Sequence, residues 1–170
     1  MKKGHVFLPS GDPETFNEAT LEYPGQLGLQ FPFRGKRYRI VKLDSGATAS
    51  TPSGAVADNQ LAYWKDKDDL LVTNDLRFSG GNLVAGVFRA AATAAYHTCI
   101  QTGGIGDVID DDGNTVVNEL LVASGTSTKV TGIAVGTAPT YRVVGVARGP
   151  DSSNVVSADL MLFEDDEYVG

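Results

Sequence analysis

The chain has 170 residues, enough to bury a core of its own, and length alone suggests one domain, with room for an appended arm. Its formal net charge of −7 argues against a nucleic-acid-binding role, because such binding depends on neutralising phosphates. The single cysteine, Cys99, excludes an intramolecular disulfide and cysteine-rich zinc sites, and no apolar run is long enough for a membrane span or a signal peptide.

Residues 1–37 are predicted to form an extended N-terminal arm. Prolines and glycines recur throughout them and leave no room for a helix of ordinary length, while apolar residues come in short bursts. Five aromatic residues are many for a disordered tail, so we expect the arm to become ordered on a partner. Aromatic side chains would bury apolar surface there and basic ones would contact acidic groups; the candidates are Phe7, Phe31, Phe33, Arg34, Lys36, Arg37 and Arg39.

The body, residues 38–170, is predicted to be all-β. Short apolar or alternating segments are separated by turn signals rich in Gly, Pro, Asp and Ser, which is typical of a small β-barrel or β-sandwich. Strands are expected at 38–43, 60–64, 70–73, 83–88, 96–101, 115–117, 119–123, 140–146 and 155–163.

The stretch with the clearest strand pattern, residues 82–104, contains no arrangement of residues that is typical of a nucleophilic site or a metal site. It predicts two strands joined by small residues, with the Gly103-Gly104 pair ending the second. His97 and Cys99 share a face of that second strand, but neighbours two apart on a strand are about 6–7 Å apart, a poor geometry for a nucleophile and its base. We predict a half-buried strand with an inert thiol, and no enzyme.

The acidic run from Asp107 to Asn114 invites a calcium interpretation. In the helix–loop–helix calcium pattern, however, Val108 would occupy the first ligand position, where it cannot bind the ion. Asp112-Gly113 between apolar residues is a strong turn signal instead. We therefore predict a turn, with a weak surface cation site as the alternative, and no cofactor.

Tyr63 and Trp64 are adjacent aromatic residues before a charged segment. Such a pair is usually the end of a strand packing into the core. The alternative is a platform on which a sugar ring stacks, as in a carbohydrate-binding β-sandwich.

The order of short motifs resembles that of a known family. GAVADNQLAYWKDKD (54–68), VTND (72–75), VAGVF (84–88), YHTCIQTGG (96–104) and VVGVA (143–147) together resemble the head decoration, or cement, proteins of tailed bacteriophages and related virion proteins. The similarity covers about residues 50–163 and not the arm.

The resemblance implies a trimeric β-barrel or β-sandwich on the outer surface of the capsid, made in the host cytoplasm, with the major capsid protein as partner. It implies neither catalytic residues nor a cofactor, membrane or nucleic acid. A tail or head–tail connector subunit is the competing structural role.

Overall fold

The structure is a computed structural model that describes residues 11–21, 24–45, 56–75, 84–124 and 127–162. These ranges contain eleven strands and one 3-10 helix, Pro24–Gln26, so the all-β prediction is confirmed. No helix in the described ranges is both long and apolar enough to cross a membrane. The strands are β1 (Asn17–Glu18), β2 (Gln30–Phe33), β3 (Lys36–Leu43), β4 (Leu61–Asp66), β5 (Leu71–Thr73), β6 (Val84–Phe88), β7 (His97–Ile109), β8 (Leu120–Ala123), β9 (Val130–Ile133), β10 (Val143–Ala147) and β11 (Val155–Met161).

Five of the strands close into a barrel. Hydrogen-bonded pairing runs from β3 through β5, β4, β6 and β7 and returns from β7 to β3. The β3–β5 pairing is parallel and the other four are antiparallel. Closure leaves no free edge within the ring, which limits unwanted strand pairing.

Strand β7 is long enough to serve two units. Its first half belongs to the barrel, and its second half pairs with β11, which continues the sheet in the order β10, β8, β9. We call the second half of β7 together with these four strands the extension sheet. The extension sheet therefore shares its first strand with the barrel wall.

Alternation of side chains produces two cores from one sheet. Trp64 points into the barrel with Val41 and Ile100, while its neighbour Tyr63 points outward. Tyr63 and the outer side of β6 are covered by the inner face of the extension sheet, including Leu121 and other apolar residues. The extension sheet is thus held to the barrel by a second apolar core.

Two sequence-based expectations about strands were wrong. Gly103-Gly104 does not end β7, which continues to Ile109; Gly104 instead has a positive φ of 81°, which lets the strand bend without stopping. Residues 115–117 are not a strand, and Val116 and Val117 are exposed.

Parts of the predicted arm pair with barrel strands, in contrast to the expectation of a separate segment. Strand β2 pairs with β3, β1 pairs with β7, and the expected boundary between residues 37 and 38 falls inside β3. Phe16 is fully buried against Tyr38 and Cys99. The prolines interrupt helix formation, but they do not prevent short extended pieces from covering one side of the barrel.

Candidate interaction surfaces

The hairpin formed by β2 and β3 carries most of the residues predicted to bind a partner. Its two-residue turn, Arg34-Gly35, has positive φ at both positions, 48° and 78°. This is the backbone of the turn type that suits a hairpin's twist, and it favours Asn-Gly or Gly-Gly. Gly35 meets that demand, whereas Arg34 adopts a conformation that costs a side chain with a Cβ about 1–2 kcal/mol.

The aromatic side chains of the hairpin pack on one face of β3. Phe31 stacks on Tyr38 with ring centroids 5.9 Å apart, and Phe33 meets the same ring edge-on at 6.4 Å. The Arg34 guanidinium lies 5.0 Å from the centre of the Phe33 ring. Both phenylalanines are half-buried, so only part of each ring is accessible to a partner.

Lys36 is held by a residue from the preceding segment. Its Nζ pairs with Glu14 Oε1, which also accepts a hydrogen bond of 2.8 Å from the Tyr38 hydroxyl. The bonds from Lys36 and Tyr38 lower the pKa of Glu14. Burial, with the bond to Glu14, raises the pKa of Tyr38. Lys36 therefore contributes to holding residues 12–18 on the barrel.

Arg39 does not lie where a partner would meet it. It is 4% exposed, and its guanidinium is 5.8 Å from the centre of the Trp64 ring at the barrel interior. Its position on β3 explains this, because residues 39 and 41 alternate inward together. Arg37 is exposed and lines an open cavity of about 320 Å³ with Gln30, Phe31 and Pro32. Phe7 lies outside the described residues.

A second surface is the outward face of the extension sheet. Cross-strand pairing places one residue from each strand in a row: Ile105, Asp159, Val146, Leu120 and Ile133. Four of these five are aliphatic, and paired residues share a face. Met161 extends the apolar surface at the end of β11. Among the described residues, every large apolar side chain classed as exposed lies in this half of the chain: Ile105, Val116, Val117, Val135, Tyr141 and Met161.

The loop between β9 and β10 adds a groove to that face. A cavity of about 280 Å³ is lined by Val122 and Thr131 of the sheet and by Thr137 and Tyr141 of the loop. Val135 in the same loop is 78% exposed. The outward face thus combines a flat apolar row with a shallow recess beside it.

Arg148 and Asp159 form a charged pair on this face, with their nearest N and O atoms 3.3 Å apart. Both side chains are about half exposed, and an exposed pair of this kind contributes little to stability. The pair therefore leaves the face largely apolar, with its two opposite charges balanced within the chain.

His97 and Cys99 do not form a reactive pair. Cys99 is 1% exposed, and burial strongly raises the pKa of its thiol, whereas a nucleophilic cysteine needs a lowered one. Burial also lowers the pKa of His97, whose Nδ1 lies 3.3 Å from the Glu18 carbonyl oxygen. Both residues belong to the contacts between β7 and the 16–18 segment.

The acidic run forms a turn. Gly113 has a φ of 67°, and the Asp110 carboxylate, which is fully buried, accepts a 3.1 Å hydrogen bond from the Thr115 amide. No cluster of three or more potential metal ligands occurs among the residues that the structure describes.

Tyr63 and Trp64 do not form a platform for a sugar. They point to opposite sides of β4 and are 0% and 4% exposed, so neither ring is available for stacking. The interpretation of this pair as core residues agrees with their positions.

Sequence reasoning missed two residues that shape these surfaces. Glu14 lies in the proline-rich segment, and no sequence pattern around it indicates its ion pair with Lys36. Ile105 lies beyond the predicted end of the strand at Gly103-Gly104, although the alternation of Ile105, Asp107 and Ile109 with Gly106 and Val108 is a signal for a strand that continues.

Comparison with known proteins finds likeness among solved structures. No family model matches the chain, and no curated protein matches it. Among solved structures, the chain is similar to the N base of the head fibre gp8.5 of bacteriophage phi29, with a TM-score of 0.45 and 15% sequence identity over 72% of this chain and 92% of that chain.

Proposed function

We propose that the chain is a structural protein of a tailed-phage virion, a head decoration protein that binds the outer surface of the major capsid shell. The observation that carries the proposal is the apolar outward face of the extension sheet, beside a basic hairpin on an acidic chain. Apolar area of this kind on a β protein is typical of an interface with other subunits. The motif order described above supports the same class. The phi29 head fibre is by name a phage head component, but the proposal does not depend on that likeness.

The apolar face is proposed as the contact between copies in a homotrimer. Its cross-strand row spans five strands, and four of the five residues are aliphatic. In a closed ring of three, this face would meet a different surface of the neighbouring copy. Three copies would match the threefold positions of an icosahedral shell. Multivalent attachment would then let modest contacts per subunit hold a shell together.

The hairpin is proposed as the contact with the capsid. Arg34 and Arg37 are exposed there, and an arginine guanidinium binds carboxylates with two parallel hydrogen bonds. Arg34 keeps a strained backbone conformation, which is a reason to look for a role outside the fold. Such contacts should weaken with salt.

Membership of the class of structural virion proteins has further consequences for this chain. The chain would act without catalysis or cofactor, would bind neither nucleic acid nor membrane, and would join the particle in the host cytoplasm. A tail or head–tail connector subunit is the second candidate, because it too would bury an apolar face between copies. The carbohydrate-binding alternative loses its site, since Tyr63 and Trp64 are buried.

The test is binding of the purified chain to heads of the encoding phage that lack it. We expect saturable binding, which falls when Arg34 and Arg37 are both changed to Gln. A matched double change, Lys42→Gln with Lys67→Gln, removes two exposed positive charges away from the hairpin turn and the apolar face, and should leave binding unchanged. Heads that bind none of the chain, while purified tails do, would favour the connector role.

A further inference from the structure

The acidic residues that follow β11 are opposite in charge to the basic hairpin. Residues 163–170, here called the acidic segment, read FEDDEYVG and carry four consecutive carboxylates between Phe163 and Tyr168. They lie outside the described residues. The hairpin is the densest basic run of a chain whose net charge is −7. We propose that the acidic segment binds the hairpin of β2 and β3 within the same chain.

The sheet brings the start of the acidic segment close to the hairpin. Met161 of β11 pairs with Gly103 of β7, and Gly103 pairs with Arg37 of β3 on its other side. Two strand spacings, about 10 Å, therefore separate the end of β11 from Arg37. Residues paired in this way share a face, so Met161 and Arg37 lie on the same side with a glycine between them.

The hairpin turn itself lies against the same part of β7. Gly104 pairs with Leu160, and a Cβ at Gly104 would lie 2.6 Å from the carbonyl oxygen of Gly35. The turn that carries Arg34 is thus in contact with the strand next to the end of β11. Eight extended residues span about 26–29 Å, more than twice the distance to Arg37.

The surface that the acidic segment would meet has the required chemistry. Arg34 and Arg37 supply guanidinium groups that bind carboxylates with two hydrogen bonds each. The open cavity beside Arg37, lined also by Phe31 and Pro32, offers apolar surface to an aromatic side chain such as that of Phe163 or Tyr168. Charge, reach and an apolar recess therefore all favour this segment as the occupant.

Binding of the acidic segment would regulate attachment, a consequence that rests on the proposed function. The segment would occupy the same arginines that we propose for capsid contact, so the capsid would have to displace it. A chain ending at Leu162 should then bind undecorated heads more tightly than the full chain at low salt. The binding within the chain does not depend on this step and can be tested without any particle.

The test compares backbone amide resonances of Gly35 and Arg37 in three full-length chains labelled with nitrogen-15. These are the unchanged chain, the double variant Glu164→Gln/Asp166→Asn, and the control Asp68→Asn/Asp69→Asn, which removes two exposed carboxylates from the β4–β5 turn. The remaining resonances report whether each variant is folded.

We expect the acidic-segment variant to move the Gly35 and Arg37 resonances and the control to leave them in place. Raising the salt from about 0.1 M to 1 M shortens the screening length from about 10 Å to 3 Å and should move the unchanged chain toward the variant. Identical resonances in variant and unchanged chain, or equal shifts in variant and control, would overturn the proposal. Shifts that grow with protein concentration would also overturn it, because they would show binding between copies.

Discussion

The substitution Phe16→Ala tests whether the segment before β2 is part of the folded core. Phe16 is fully buried among Tyr38, Ile40 and Cys99, although it lies in the stretch that sequence analysis assigned to a separate arm. Its carbonyl oxygen accepts a 3.1 Å hydrogen bond from the Thr98 hydroxyl, and alanine keeps that bond. The substitution therefore removes packing and leaves the backbone contact in place.

The expected loss is large because the side chain has no exposed surface to begin with. Replacing a fully buried phenylalanine by alanine typically costs about 3–5 kcal/mol, which combines lost burial with the cavity that remains. For a chain of this size such a loss lowers the melting temperature by about 6–20 °C. An arm that orders only on a partner would give a change near zero.

Urea unfolding followed by tryptophan fluorescence measures the effect, since the chain has a single tryptophan, Trp64, in the barrel core. The denaturant dependence should stay unchanged while the midpoint falls. Val135→Ala is the control: Val135 is 78% exposed, and its loss should cost less than about 0.5 kcal/mol. A loss below about 1 kcal/mol for Phe16→Ala would refute the placement of this segment in the core.

Three further predictions concern the hairpin and its neighbours. Arg34→Asn should stabilise the isolated chain by about 0.5–1 kcal/mol in urea unfolding, because relief of the positive-φ strain exceeds the lost contact with the Phe33 ring; a loss of stability would contradict the strain. The hydrogen bonds from Lys36 and Tyr38 lower the pKa of Glu14, so its stabilising effect is complete above the unfolded pKa near 4.5 and disappears as the pH falls through the lower folded pKa. Glu14→Gln should therefore make the urea midpoint less dependent on pH in that acidic window. An unaltered pH dependence would count against the contact. Cys99 should react with a thiol reagent only after unfolding, since it is buried and its pKa is raised; rapid labelling of the native chain would show that β7 is accessible there.

Local pattern was sufficient for most strands and for the fold class. Strands β4, β6 and β8 follow short apolar segments with turn signals on both sides, and their limits differ from the expected ones by one or two residues. The burial of Tyr63 and Trp64 on opposite faces likewise follows from alternation alone.

What the sequence did not predict depends on contacts between distant residues. The continuation of β7 through Gly103-Gly104 depends on pairing with β11, more than fifty positions later in the chain. The hydrogen bonds of that pairing hold the two glycines in the strand, although glycines by themselves predict its end. The inclusion of residues 16–18 in the sheet depends on Tyr38 and Cys99 forming a surface for Phe16. The inward direction of Arg39 depends on which face of β3 the barrel encloses.

The most direct test of the proposed virion role is a density map of purified particles of the encoding phage, with this fold placed in it. We predict density for the closed barrel on the outside of the head, arranged in groups of three, with the outward face of the extension sheet between copies. A particle map in which the barrel lies only in the tail or the connector, or purified particles that lack the chain, would contradict the account.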